Sequence, residues 1–125
     1  MGTGAFNIPW VATILALSFA GPAVSGPFED GVAAYKQQHY VTAMNLWRPL
    51  AEAGDQEAQG AIGVLYRDAQ GVPVGRVLEA YMWFSLAATG ANKRAATERD
   101  ILLRSMTADQ IAEGKRRVSE WQPKR

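Results

Sequence analysis

Few side chains in this sequence are equipped for chemistry. His39 is the one histidine, and it lies in the turn-like Gln37-Gln38-His39, so a helix-end contact explains it better than proton transfer or metal binding. The acids Glu29, Asp30, Asp55 and Glu57 fall where helices would begin, and the helix macrodipole accounts for carboxylates there without an acid–base pair. Cysteine is absent, which removes thiolate nucleophiles, zinc–thiolate sites and disulfides. No Gly-x-Ser-x-Gly, His-Glu-x-x-His, Walker or dinucleotide glycine pattern occurs. Tyr35, Trp47, Tyr66, Trp83 and Trp121 could form an aromatic cage for a ligand. Their regular placement marks them instead as packing residues, and the expectation is a non-enzyme with no catalytic residue, no cofactor and no metal.

The elements that carry those aromatics repeat. Trp47-Arg-Pro-Leu-Ala-Glu-Ala-Gly54 and Trp83-Phe-Ser-Leu-Ala-Ala-Thr-Gly90 match in type at a spacing of 36 residues, a period typical of stacked helical repeats. Helical spacing puts Ala43, Met44, Trp47, Leu50 and Ala51 on one face of a helix from Tyr40 to Ala53, with Pro49 expected to kink it near Leu46. Gly54 suits a helix stop, and Asp55 a cap for the next helix, Gln56 to about Ala69. Within that helix Ala58, Ile62, Leu65 and Tyr66 form the apolar stripe, and Gly63 implies close approach by a neighbour. A loop over Gly71-Val-Pro-Val-Gly75 leads to a helix from Arg76 to Thr89 that is apolar almost all round, as in the middle of a stack. Before these, Gly31 to Gln38 reads as a short helix carrying Val32 and Tyr35. After them Ala95, Leu102, Leu103 and Met106 share a face, and Thr107-Ala-Asp-Gln110 is a capping box for a last helix with Ile111, Val118 and Trp121 inward.

Residues 54–72 (Gly54-Asp-Gln-Glu-Ala-Gln-Gly-Ala-Ile-Gly-Val-Leu-Tyr-Arg-Asp-Ala-Gln-Gly-Val72) and 79–90 resemble a Sel-one-like repeat, a branch of the tetratricopeptide-like families. Ile62 replaces the usual Leu, and Ala69 stands where the inter-helix loop usually has its first glycine. The Tyr-to-Trp interval is 12 residues from Tyr35 to Trp47 but 17 from Tyr66 to Trp83, so residues 28–54 look like the short first repeat of bacterial members. The resemblance implies an all-α fold, a short right-handed superhelical array of antiparallel helix pairs with about six helices. Its parts are a short repeat over 28–54, a full repeat over 55–90 and a terminal capping pair over 91–122. Structural repeat positions under this reading are Tyr35, Trp47, Gly54, Ala58, Gly63, Tyr66, Gly71, Ala80, Trp83 and Gly90.

Residues 1–28 carry no charged side chain, and Trp10–Ala20 is an apolar run followed by Gly-Pro-Ala-Val-Ser-Gly. Residues 1–25 are therefore expected to be a signal segment cleaved after Ser25, or alternatively an uncleaved anchor, although no Lys or Arg precedes the run. Either way residues 26–125 form an exported domain, periplasmic or secreted, with possible membrane proximity through the N-terminus and no role for nucleic acid. Residues 26–90 hold four bases against seven acids and residues 91–125 nine against five, and the Lys115-Arg116-Arg117 run is expected to be a solvated helix face.

The first helix of each pair lines the inner groove in the frame that the resemblance supplies. That places Glu57, Gly60, Val64 and Arg67 there, joined by Glu29, Ala33 and Lys36 through the Tyr35–Tyr66 match. The function implied is an adaptor that binds a protein partner or peptide segment in this groove. The alternative is an envelope accessory protein linked to cell-wall processing.

Overall fold

The computed structural model describes residues 26–72, 76–90 and 92–124, so the expected signal segment lies outside the described residues. Those residues form six α-helices: α1 (Pro27–Lys36), α2 (Tyr40–Glu52), α3 (Gln56–Arg67), α4 (Val77–Ala88), α5 (Lys93–Leu103) and α6 (Ala108–Glu120). No strand occurs among the described residues. The chain is thus all-α, as expected, and none of the described helices is long and apolar enough to cross a membrane.

Local chemistry sets the helix ends. Pro27 at the first position of α1 needs no donor, and Glu29 accepts a hydrogen bond from the Gly26 amide at 3.0 Å. These signals start the helix four residues earlier than the expected Gly31. Asp55 caps α3 by accepting from the Ala58 amide at 2.9 Å, and Gly54 before it takes φ +106° at the end of α2. α2 runs as one helix through Pro49. Pro49 lies in the last turn, where only one interior hydrogen bond is forfeited. Asn92 and Thr107 cap α5 and α6, the latter in the reciprocal box with Gln110.

Each of the first five helices packs on its sequence neighbour, and the short links make these neighbours antiparallel. α4 is the hub: Ala80, Tyr81, Trp83, Phe84, Ser85, Leu86 and Ala87 are all buried, because α3, α5 and α6 cover it from different sides. Gly63 of α3 faces it closely. A β-carbon there would fall 2.7 Å from Phe84 Cδ1, so the glycine sets the α3–α4 separation. The terminal pair differs from the expected one. α6 packs mainly on α4 rather than on α5, with Gly114 against the Tyr81 ring. Beyond α6, Pro123 reaches Gly54, and Lys124 donates its amide to Glu52 O at 2.7 Å and pairs through Nζ with the Glu52 carboxylate at 3.2 Å.

The end of α3 contains a strained residue. Ala69 has φ +55°, the left-handed region that a side chain disfavours by about 1–2 kcal/mol. This is the position where the repeat pattern that the sequence resembles usually has glycine. Ala69→Gly is expected to stabilise the domain by about 0.5–1 kcal/mol, after the greater freedom of glycine in the unfolded chain is subtracted. Urea denaturation should show a raised midpoint with an unchanged slope.

The basic run in α6 is largely spoken for. Arg116 pairs with Glu113 and Glu120, and Arg117 bridges Glu113 at 2.9 Å to Glu79 of α4 at 3.0 Å. Hydrogen bonds from Arg116, then Arg117, pull the Glu113 carboxyl from its ordinary 4.5 down to about 2. A depressed acid stabilises the fold above its unfolded value and loses that contribution as pH falls toward 2. The stability gap between the protein and Glu113→Gln should therefore be steady from pH 7 to 5 and close between pH 4.5 and 2. Added salt should narrow it, since the pairs are exposed.

Candidate functional site

α1 and α3 make little direct contact, because both lean on α2; α3 and α5 are likewise joined through α4. The space left between these first helices is an open groove of about 360 Å³. Side chains enter it at helical spacing: Phe28, Val32 and Tyr35 from α1, Glu57, Gly60, Ala61 and Val64 from α3, Ala95 and Glu98 from α5. Arg94 and Asn92 close the α5 side, while Trp47 of α2 and Phe84 of α4 reach the floor.

The wall formed by α1 is aromatic and held from behind. Trp47 donates Nε1–H to Phe28 O at 3.0 Å and stacks on the Phe28 ring with centroids 5.8 Å apart. Tyr35 lies 6.1 Å from the same indole and meets Tyr40 edge-on at 5.4 Å. Gly31 allows this approach, since any β-carbon there would overlap the Trp47 ring. Gly60 on the other side is under no such constraint; a β-carbon there would make ordinary contact with Asn92 at 3.4 Å and Ala87 at 3.9 Å. The wall facing α1 carries charge. Arg67 donates to Glu98 at 2.6 Å and to Asp68 at 2.8 Å, a short relay that closes the α5 side at the far end. Bonding to Arg67 holds the Asp68 carboxyl below its ordinary range.

Three of the six expected site residues come together here: Glu57, Gly60 and Val64. Arg67 does not line the groove but locks its edge through Glu98. Glu29 and Lys36, with Ala33, fall outside it, and this corrects the register on α1. The Tyr35–Tyr66 equivalence fails because Tyr66 turns into the core, where Arg48 reaches its hydroxyl at 2.6 Å, whereas Tyr35 faces the groove. The α1 residues that line the groove are Phe28, Val32 and Tyr35, the apolar stripe itself. Reading that stripe as groove lining rather than core would have found them. Tyr35 and Trp47 consequently serve both packing and groove, while Tyr66 and Trp83 are buried as expected and Trp121 is half-buried.

His39 is exposed at the start of α2 and has no acid or metal-ligating neighbour set; among the described residues no cluster of three His, Cys, Asp or Glu side chains occurs. A second hollow lies beneath the C-terminal tail, between Gly54, Gln59, Leu86 and Trp121. Comparison with protein-family models, curated proteins and solved structures gave no match for this chain.

Proposed function

We propose that this chain is a short array of Sel-one-like repeats and acts as a non-enzymatic adaptor, exported by its N-terminal segment, that holds a segment of another protein in the groove between α1, α3 and α5. One observation carries the reading: Phe28, Val32, Tyr35, Ala61 and Val64, apolar side chains packed against the core and only partly buried, line an open trough instead of closing it. An apolar trough with a few polar groups at its rim is the usual form of a segment-binding surface. The repeat pattern at Trp47, Gly54, Gly63, Trp83 and Gly90 supports the family assignment, and the apolar run before residue 26 supports export.

A photo-crosslinking side chain at position 64, introduced into the full chain in its cells, tests this. The expected result is one or a few defined protein adducts, lost when Ala61→Trp fills the trough. A probe at exposed Val41, on the far side of α2, should not give them. If both positions capture the same proteins, the groove is not the binding surface.

A further inference from the structure

The groove is not symmetric in charge, and the asymmetry specifies what it holds. Four charged side chains stand at or near its rim. Glu98 is neutralised by Arg67 at 2.6 Å, so neither is available to a ligand. Glu57 sits in the first turn of α3, where a carboxylate is stabilised by the helix's own dipole and by the free amides beside it. Arg94 is different. It is exposed, lines the groove and has no ion pair among the described residues.

Its position also runs against the local rule. Arg94 and Lys93 occupy the first turn of α5, which contains no acid at all, and cations there oppose the macrodipole. α1, α3, α4 and α6 each place an acid in that turn, and α2, which has no acid there, has no Lys or Arg there either. Placements that give up local stability tend to mark positions used for something else. Arg94 enters the groove from α5, Glu57 from α3 and the Phe28–Val32–Tyr35 wall from α1.

Resting on the adaptor reading, we infer that the groove selects a peptide segment in which a large apolar side chain is followed or preceded, within about one turn, by a carboxylate. The apolar side chain lies against Phe28, Val32 and Val64. The carboxylate meets Arg94, whose planar guanidinium can take both oxygens, and Lys93 adds positive potential beyond it. Glu57 repels a second acid on the α3 side, so the two charges fix the direction in which the segment lies.

Selection of a random peptide library displayed on phage against the full chain and against Arg94→Glu tests this. The intact chain should enrich sequences pairing Leu, Phe, Trp or Ile with Asp or Glu at short spacing. Arg94→Glu should enrich Lys or Arg at the same offset. A selected peptide should lose about tenfold in affinity for Arg94→Glu and recover it when its acid is exchanged for Lys, as charge reversal at a rim-to-pocket pair requires. Enriched peptides without acids, still blocked by Ala61→Trp, would overturn the charge inference and leave the groove reading intact. Peptides indifferent to Ala61→Trp would overturn the groove reading itself. Circular dichroism of each variant confirms that helix content is kept.

Discussion

Phe84→Ala is expected to lower the free energy of unfolding by about 3–5 kcal/mol, the range for removing a fully buried aromatic ring. Phe84 is 1% exposed, and α3 crosses it with only Gly63 between the backbones. It also lines the groove, so its removal should deepen the trough and, on the proposed adaptor reading, impair segment binding as well as stability. The partner change is Gly63→Ala. Alanine gains about 1 kcal/mol of helix propensity, but its β-carbon would need the ring to move in a site where nothing gives. In the intact protein Gly63→Ala should therefore destabilise by about 1–3 kcal/mol. With Phe84 already alanine the same change should be neutral or stabilising. A double-mutant cycle by urea unfolding measures this, and additive effects would refute the contact.

Trp47→Ala is expected to have a comparable total effect, about 3–5 kcal/mol, but a more local one. The indole is 4% exposed and is what α1 rests on: it stacks on Phe28, approaches Tyr35, fits against Gly31 and hydrogen-bonds Phe28 O. Among the described residues α1 has no substantial neighbour other than α2. Its loss should release α1 before the rest unfolds, giving early tryptic cleavage after Lys36 while far-UV circular dichroism retains most of its helix signal. Trp47→Phe keeps the ring contacts and forfeits the hydrogen bond, so about 1 kcal/mol is expected. Simultaneous loss of all helices in Trp47→Ala would show that α1 is integral to the core instead.

Where sequence and structure agree, the determinants are short-range. Asp55 and Thr107 cap helices because their side chains reach amides three residues on, and Gly54 ends α2 because it alone tolerates φ +106° cheaply. The apolar circumference of α4 likewise announces its central place. What the sequence concealed depends on distances between helices. Glu29 and Lys36 were placed in the groove by a frame borrowed from α3, yet α1 is rotated so that its aromatic stripe faces the trough. Arg67 reads as a free surface charge until Glu98, 31 residues on, is found beside it. Gly114 carries no sequence signal that distinguishes it from a weak point in α6, and only the Tyr81 ring explains it. Ala69 shows in the sequence only as a departure from the pattern it resembles, and its strain appears with φ +55°.

The tail that returns to Glu52 also bears on how the chain reaches this state. Nearly every other interface joins helices that are neighbours, or next neighbours but one, along the sequence, so folding can nucleate in one hairpin and spread without closing large loops. The Lys124–Glu52 link spans 72 residues and has the largest closure entropy of the described contacts. It is expected to form last, on a platform already built. In hydrogen exchange Lys124 should accordingly report the completion of folding, while the amides of α4 report its beginning.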